Sequence, residues 1–414
     1  MDSENIITQL KHNHFEVQHD ASKHDANIVI INTCGFIDMA KKESIDTILE
    51  YAEAKNEGKL DKLLVTGCLS QRYKDDLKNE IPEVDDWFGT MDMPALLASL
   101  KADFKKELIG ERLITTPSHF AYLKISEGCN RTCSFCAIPL MRGKHVSRTI
   151  ESLVHEAEFL ADRGVKELML IAQELTYYGL DIYKKRKLPE LLDALSKVNG
   201  IEWIRLHYAY PSKFPMEILD TMAENDKICK YLDMPLQHAS DQMLTAMKRQ
   251  ITKEETIALI QAIRNKIPDI TLRTTMLVGF PGETEQDFKD LCDFVEQMKF
   301  DRLGVFTYSH EEDTTAYKLE DDIPAETKTD RMNQLMEIQR TISAEKNNKK
   351  VGTKMRIIID RKEKTGWAGR SEGDSPEVDQ EIHILDPKLK LKAGQMVNVH
   401  IESADDYDLI ATLV

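Results

Sequence analysis

Cysteine is scarce in this chain, with 7 residues among 414. This is ordinary usage and an odd count, which excludes a disulfide framework, and no secretory signal pattern opens the sequence. No apolar run approaches the roughly 18 residues that a membrane-spanning helix requires. These absences predict a cytoplasmic protein that has no membrane partner and keeps its thiols reduced.

Basic residues are also in deficit, with 55 Lys and Arg against 71 Asp and Glu and a formal net charge of -16. A protein that grips nucleic acid needs concentrated Lys and Arg to neutralise phosphates. The acidic balance therefore disfavours nucleic acid as a direct substrate and favours a basic protein. A chain of 414 residues, 42% of them hydrophobic, can form two or three domains with sizeable cores.

Three of the cysteines stand together in the run EGCNRTCSFC, at Cys129, Cys133 and Cys136. A zinc site would normally add a second Cys or His pair about a dozen residues away, and His145 and His155 do not form one. Iron-sulfur cubanes are normally held by four cysteines, so a triplet leaves one iron open to a substrate or cofactor. The spacing predicts a catalytic cluster rather than one that only carries electrons.

The middle of the chain contains strand candidates separated by helical stretches. There are six of them: Tyr122–Ser126, Glu167–Ile171, Trp203–His207, Tyr231–Met234, Thr271–Val278 and Arg302–Thr307. Six βα units predict an incomplete, TIM-like (βα)6 barrel. Such barrels place their chemistry at the carboxyl ends of the strands, where the cysteine triplet and several polar, glycine-rich segments fall.

The first hundred or so residues alternate helix and strand signals, which predicts a small doubly wound parallel sheet. Its strands, at residues 26–31 and 62–66, deliver Cys34 and Cys68 to their carboxyl ends, where open α/β sheets bind ligands. Two cysteines on one edge suggest a second metal site. The alternative is that both are free thiols that pack as small hydrophobic groups.

From Val351 onward the sequence changes to short alternating strands, which predict a small antiparallel β-barrel. The fold class is therefore α/β, with domains expected at residues 1–112, 117–345 and 350–414. From Val351 onward there are 9 Lys and Arg against 12 Asp and Glu. A barrel that binds RNA should be basic and aromatic, so this one suits a basic protein partner better.

The triplet on the first strand of a six-unit barrel, with Phe135 before its last cysteine, resembles the radical S-adenosylmethionine superfamily. There, a 4Fe-4S cluster binds S-adenosylmethionine at its open iron and cleaves it to a 5'-deoxyadenosyl radical. The resemblance implies that Cys129, Cys133 and Cys136 are the catalytic cluster ligands. It also implies cofactor contacts from Phe135, Gln173, Glu174, Arg273, Gly279 and Glu283, for which plain packing, turn or solvated roles are the alternatives.

The order of the three domains resembles the methylthiotransferase family, whose last domain is called TRAM. The resemblance implies replacement of a carbon-hydrogen bond by carbon-SCH3, with a second 4Fe-4S cluster that handles the sulfur. Residues 208–215, 306–312 and 369–379 resemble the branch that modifies the β-carbon of an aspartate in small-subunit ribosomal protein twelve. A transfer RNA isopentenyladenosine methylthiotransferase is the alternative enzyme, and a non-catalytic iron-sulfur electron-transfer protein is the alternative outside enzymes.

The resemblance implies that Cys34 and Cys68 bind the second cluster together with a third cysteine. That cysteine normally lies in a Gly-Cys-x-Lys-Asn stretch shortly before an Asp-Ser-Glu, and this sequence begins at Met1 followed by Asp-Ser-Glu. We therefore expect the true translation start to lie upstream of Met1. The family resemblance also implies a reductant such as flavodoxin or ferredoxin.

Overall fold

The computed structural model describes residues 1–20 and 26–414. Along the chain it contains a small parallel sheet, then a six-stranded parallel sheet, then a closed β-barrel. Within the described residues no helix combines the length and the apolar character needed to cross a bilayer.

The first unit is a parallel sheet in the order β1-β2-β3. Its elements are α1 (Asp2–His12), β1 (Ile28–Thr33), α2 (Asp38–Asn56), β2 (Lys62–Gly67), α3 (Cys68–Glu80), β3 (Asp86–Trp87) and α4 (Met93–Ser99). Successive side chains of a strand point to opposite faces. Leu63 and Val65 therefore pack in a core with α2 and α3, whereas Leu64 packs with α1 and α4. Helices on both faces confirm the predicted doubly wound arrangement.

The second unit has six parallel strands in strict chain order, β4-β7-β8-β9-β10-β11. Its elements are β4 (Phe120–Lys124), β5 (Ser126–Glu127), α5 (Ile138–Arg142), β6 (Val146–Ser147), α6 (Ile150–Asp162), β7 (Glu167–Ile171), α7 (Leu188–Ser196), β8 (Trp203–Leu206), α8 (Glu217–Glu224), β9 (Ile228–Asp233), α9 (Asp241–Ala246), α10 (Lys253–Lys266), β10 (Thr271–Val278), α11 (Glu285–Met298), β11 (Arg302–Thr307) and α12 (Ala325–Lys350). The edge strands β4 and β11 do not pair with each other in the described chain, which confirms an incomplete barrel. The fourth barrel strand begins at Ile228 rather than Tyr231, because Ile228 already pairs with Ile204 of β8.

Alternation along these strands separates an aliphatic outer layer from a polar and aromatic lumen. In β4, Ala121 and Leu123 pack in the core with helix α6, so Tyr122 faces inward. The same alternation turns Arg205 on β8 and Phe306 on β11 toward the lumen. Phe306, on the edge strand β11, is 56% exposed. The inward side of the barrel therefore carries polar and aromatic groups, some of them buried and paired, such as Arg205, and others exposed, such as Phe306.

The third unit is a closed barrel in the order β12-β13-β14-β16-β15. Its strands are β12 (Lys354–Lys362), β13 (Trp367–Ser371), β14 (Ile382–Ile384), β15 (Met396–Ala404) and β16 (Leu409–Leu413). All pairings are antiparallel as predicted except that of β14 with β16, which is parallel. The exception arises because β15 intervenes in the chain and reverses its direction before β16 closes the barrel.

A buried chain of charges joins this C-terminal barrel to the amino-terminal end of the central sheet. Glu167, the first residue of β7, accepts from Arg205 Nε and Arg370 Nη2, each at 2.8 Å. Arg370 also donates to Asp360, which lies 2.7 Å from His119 Nε2. Burial opposes ionisation of Glu167, but the two guanidinium groups outweigh it and lower the pKa of this carboxyl. The two domains are therefore fixed to each other in one arrangement.

Replacing Arg370 by alanine should strongly destabilise the protein. Loss of one partner of a buried ion pair costs about 3–5 kcal/mol, because the remaining charge is left without compensation. The free energy of unfolding in urea measures this loss. Arg356→Ala is the matched control, since Arg356 joins the same two domains through Glu202 at 2.9 Å on the exposed surface. That pair should contribute about 0–1 kcal/mol, and equal losses in both variants would contradict the assignment.

Candidate active site

The cysteine triplet lies on the loop between β5 and α5, at the carboxyl end of the first barrel strand. The Cys129 amide donates to the Gly143 carbonyl at 3.1 Å, and the Cys136 amide donates to the Cys133 carbonyl at 3.2 Å. Burial raises the pKa of the Cys129 thiol to about 11 and that of Cys136 to about 12, and each thiol also feels the ionised form of its neighbours. The three thiols therefore lie near one another at this end of the barrel.

Hydrogen-bond donors surround these sulfur atoms. The Arg131 amide donates to Cys129 Sγ at 3.4 Å, and the Ile138 amide is hydrogen-bonded to Cys136. Donors of this kind suit thiolates, which are the form in which cysteine binds metals. Three half-buried thiols, two of them with amide donors, fit three ligands of an iron-sulfur cubane.

Two other βα units of the barrel hold the cysteine loop through Ser134. The Ser134 amide and hydroxyl donate to the carbonyls of Met247 and Ala246 at 3.0 and 2.7 Å, and the Ser134 carbonyl accepts from the Ala316 amide at 2.7 Å. Phe135 packs on the apolar cluster that contains Met247. The loop is thus pinned by residues that lie far from it in sequence. The expected cofactor contact of Phe135 stays a prediction.

Arg249 makes the most direct side-chain contact with the triplet. Its Nη1 donates to Cys133 Sγ at 3.2 Å, and its guanidinium lies 4.3 Å from the centre of the Tyr210 ring. The Tyr210 hydroxyl donates to the Arg249 carbonyl at 2.8 Å and lies 3.7 Å from Cys133 Sγ. Lys248 and Gln250, on either side of Arg249, both adopt left-handed backbone conformations. The sequence shows no motif around Arg249, so sequence reasoning missed this residue.

Arg131, which lies inside the cysteine run, is held between two aromatic rings. Its guanidinium lies 4.0 Å from the ring centre of Tyr177 and 3.8 Å from that of Tyr210. Its Nη2 is 3.3 Å from Glu174 Oε2, and Glu174 Oε1 accepts from the Thr176 amide at 2.8 Å. Glu174 is thus buried and already paired. Its predicted cofactor contact stays a prediction, whereas its contact with Arg131 supports the cysteine loop.

Gln173 belongs to a charged network that reaches the N-terminal domain. Its Nε2 donates to Glu127 Oε1 at 2.9 Å. Lys124 Nζ donates both to Glu127 Oε2, at 2.8 Å, and to Asp2 Oδ1, at 2.7 Å. Arg142, which ends helix α5, donates to Asp2 Oδ2 at 2.7 Å. Burial opposes ionisation of Asp2, but Lys124 and Arg142 lower the pKa of its carboxyl to about 2. Helix α1 is therefore anchored beside the cysteine loop.

Cys34 and Cys68 lie together at the carboxyl edge of the N-terminal sheet. Cys34 follows β1, Cys68 begins α3, and their thiols are close enough to interact electrostatically. A Cβ at Gly35 would stand 2.7 Å from the Leu69 backbone, so only glycine lets these two segments approach so closely. Burial raises the pKa of the Cys68 thiol, and the contact with Arg142 lowers it by a smaller amount. The pair fits two ligands of a metal cluster.

A second bridge joins the N-terminal domain to the barrel. Arg72 Nη1 on α3 lies 2.8 Å from Glu311 Oε2 and donates to the Gly35 carbonyl at 3.0 Å. Lys41 on α2 also reaches Glu311, at 3.0 Å. Glu311 follows the last barrel strand, whereas the Asp2 contacts adjoin the first. The N-terminal domain therefore covers the carboxyl end of the barrel. The Cys34–Cys68 pair and the cysteine triplet both lie at this end.

The remaining predicted cofactor residues have partners within the protein. Glu283 accepts from the Phe280 amide at 3.1 Å and from the Gly279 amide, and it lies 3.4 Å from Arg331. Gly279 has a φ of +73°, which suits glycine. Arg273 is ion-paired at the lumen with Asp233 at 3.2 Å and Asp379 at 3.4 Å. Their cofactor contacts stay predictions.

The other two cysteines lie away from both sets. Cys229 is fully buried on β9 against Trp203 and Ile358, and Cys292 on α11 packs against the barrel core. Neither lies near the mouth, so both are core thiols.

Comparison with known sequences divides the chain in the same way as the structure. The model of the radical SAM superfamily matches residues 123–295, that of the TRAM domain matches residues 351–414, and that of the uncharacterized protein family UPF0004 matches residues 1–89. The three matches fall on the central sheet, the C-terminal barrel and the N-terminal sheet.

Among solved structures, the chain is similar to the radical S-adenosylmethionine methyltransferase TsrM from Kitasatospora setae. The TM-score is 0.52 at 15% identity, over 72% of this chain and 64% of that one. At this identity the likeness shows the fold alone.

Curated relatives are much more similar. The ribosomal protein uS12 methylthiotransferase RimO of Cytophaga hutchinsonii is 57% identical over 100% of this chain and 95% of its own. The protein of the same name from Bacteroides thetaiotaomicron is 51% identical over 100% of this chain and 95% of its own. The chain therefore belongs to the RimO family of radical SAM methylthiotransferases.

Proposed function

We propose that this chain adds a methylthio group to the β-carbon of an aspartate in ribosomal protein uS12. The observation that carries the proposal is the placement of two cysteine sets at one mouth, the triplet on the barrel and the Cys34–Cys68 pair on the domain that covers it. Radical generation and sulfur insertion need two metal centres that reach one substrate carbon. Relatives named for this activity match the whole chain and support the same conclusion.

Cys129, Cys133 and Cys136 hold a 4Fe-4S cluster that has an open site for S-adenosylmethionine. When both are bound, the cluster and S-adenosylmethionine together would supply a carbon radical that can take hydrogen from an unactivated carbon. Arg249 holds the Cys133 sulfur by donating a hydrogen bond to it. Arg131 holds the cysteine loop through its contacts with Glu174 and Tyr210. These contacts would keep the cysteine ligands in place.

Cys34 and Cys68 would be two of the ligands of a second 4Fe-4S cluster, which would handle the sulfur. Arg142 contacts both the Cys68 thiol and Asp2, so it holds this site against the barrel mouth. The two ion bridges hold the N-terminal domain over the barrel mouth, where a bound substrate would complete the cover. Shielding matters because water and stray donors would quench a radical before it reached the substrate.

The protein substrate fits the charge of this chain. The net charge of -16 attracts the basic proteins of the ribosome and repels transfer RNA. Tyr208 and Phe306, which are 49% and 56% exposed, offer apolar contacts that a bound polypeptide would cover. A substrate of this class supports a cytoplasmic location for the enzyme, with a flavodoxin or ferredoxin as the proposed reductant.

Mass spectrometry of uS12 tests the proposed activity. In cells from which the gene is deleted, uS12 should lack the methylthio group, and restoring the full-length gene should return it to the aspartate. Cys133→Ala should abolish both this modification and the cleavage of S-adenosylmethionine under dithionite. Cys292→Ala is the control and should keep both. An unmodified uS12 in cells that carry the intact gene would overturn the proposal.

Substitution of Cys34 or Cys68 by alanine should separate the two chemistries. The triplet remains intact in these variants, so cleavage of S-adenosylmethionine without substrate should persist at near wild-type rate. Methylthiolation of uS12 should fall strongly. The iron bound per chain should fall toward the amount that the cluster on the triplet alone accounts for. Unchanged methylthiolation in Cys68→Ala would show that this pair does not handle the sulfur.

Arg249→Met should lower the midpoint potential of the cluster on the triplet. Hydrogen bonds and positive charge near the sulfur atoms favour the reduced, more negative cluster, so their removal favours the oxidised one. A redox titration followed by electron paramagnetic resonance measures the shift. Arg249→Lys should restore part of it, and Arg264→Met, on the outer helix α10, should leave it unchanged. An unaltered potential in Arg249→Met would contradict the role of this contact.

A further inference from the structure

One segment of the C-terminal domain enters the amino-terminal end of the barrel. It comprises residues 369–379, GRSEGDSPEVD, and is called the floor segment below. Three inward side chains of the barrel bind it: Arg302 Nε donates to Asp374 Oδ1 at 3.1 Å, the Tyr231 hydroxyl donates to Asp379 Oδ2 at 2.8 Å, and His207 Nε2 lies 3.2 Å from Ser375 Oγ. These partners belong to or directly follow different barrel strands. The floor segment therefore closes the lumen opposite the cysteine loop.

The tip of the floor segment is a turn between two buried anchors. The Ser375 amide donates to Asp379 Oδ2 at 2.9 Å, and the Asp379 amide donates to the Ser375 carbonyl at 3.3 Å. Between them, Glu377 has a φ of +69°, a left-handed conformation that costs a non-glycine residue about 1–3 kcal/mol. Ser375 is 2% exposed, yet Val378 is 60% exposed. The buried anchors thus present an accessible tip.

The tip points into the lumen. Tyr122, which faces inward on β4, has a pKa raised to about 12 by burial and next by the nearby carboxylate of Glu377. Tyr208, the exposed aromatic residue of the lumen, contributes to the same shift. The second anchor of the tip gives the geometry of this placement. Asp379 lies 3.4 Å from Arg273 Nε, and Arg273 pairs with Asp233, whose Oδ2 accepts from the Tyr208 amide at 3.2 Å. The tip, with Glu377 two residues before Asp379, therefore lies beside Tyr208 in the lumen.

Glu377 differs from the other acids of the floor segment. Asp374 is paired with Arg302, and Asp379 lies 3.4 Å from Arg273 Nε. Within residues 1–20 and 26–414, Glu377 has no ion pair or hydrogen bond. An exposed carboxylate in a lumen that a substrate will cover loses its water, and it then needs a cationic partner. That partner has to come from the substrate.

We propose that the floor segment is part of the substrate site and that Glu377 receives a lysine or arginine side chain of the substrate protein. This inference rests on the proposed function and deepens it, because it names a residue that selects the substrate. Ribosomal proteins are rich in basic residues, and a long basic side chain near the target aspartate can reach from the mouth toward the floor. The C-terminal barrel thus contributes to specificity from inside the lumen as well as holding the central domain.

Glu377→Gln in the full-length holoenzyme tests this role. Loss of a charge-assisted contact should raise KM for uS12 about tenfold, since a tenfold change corresponds to about 1.4 kcal/mol. Cleavage of S-adenosylmethionine in the absence of uS12 should not change. Glu402→Gln, an exposed acid of β15 in the same domain, is the matched control and should leave KM unchanged. A wild-type KM in Glu377→Gln would overturn the inference.

A substrate variant identifies the partner. Each lysine or arginine of uS12 near the target aspartate is replaced in turn by a neutral residue, and binding to the wild-type enzyme should weaken. At one of these positions the same replacement should weaken binding to the Glu377→Gln enzyme much less, which is the signature of a direct contact in a double-mutant cycle. Fluorescence anisotropy of labelled uS12 gives this result without turnover. Full additivity at every basic position would exclude a direct contact. If the wild-type enzyme does not modify uS12 at all, the proposed function fails, whereas a selective failure of the cycle removes only the role of Glu377.

Discussion

The geometry of the candidate active site depends on one aromatic ring that stands between two guanidinium groups. Tyr210 has Arg131 on one side at 3.8 Å and Arg249 on the other at 4.3 Å. Two cations near one ring would repel each other, but Glu174 pairs with Arg131 and the Cys133 sulfur accepts from Arg249. Cation–π contacts strengthen where water is excluded, as here. The arrangement holds the cysteine loop at Arg131 and Cys133 against Tyr210, which follows the third barrel strand.

The N-terminal domain is positioned by charge at two points that flank the mouth. Asp2 binds Lys124 and Arg142 next to the first strand, and Arg72 binds Glu311 after the last. A barrel of six strands leaves a gap between its edges, and these two contacts span it. Because Arg72 and Glu311 are both almost fully buried, loss of either partner leaves an uncompensated charge. The two cysteine sets thus have a defined relation that does not require a bound cofactor.

The C-terminal barrel closes the opposite end of the lumen. The Arg205–Glu167–Arg370 chain holds it in place, and the floor segment inserts beyond that chain toward Tyr122. All three domains therefore contribute to the cavity. The N-terminal domain covers its mouth with Cys34 and Cys68, the central barrel carries the cysteine triplet, and the floor segment of the C-terminal barrel carries Glu377. An acidic floor suits a basic protein chain, as the acid excess of the whole sequence suggests.

Much of this could be predicted from the sequence because it rests on local patterns. The spacing of Cys129, Cys133 and Cys136, the strand periodicities and the positions of Cys34 and Cys68 after their strands depend only on neighbouring residues, and they determined the fold class and the family. The partners of Glu174, Arg273 and Glu283 could not be predicted, because each is paired with a residue distant in sequence. Arg249 has no sequence motif of its own, and the motif at residues 369–379 does not show where Glu377 lies or that it lacks a partner within the chain. Only the tertiary structure decided their roles, since a hydrogen bond to Cys133 or a place in the lumen arises when separate βα units and the C-terminal barrel meet.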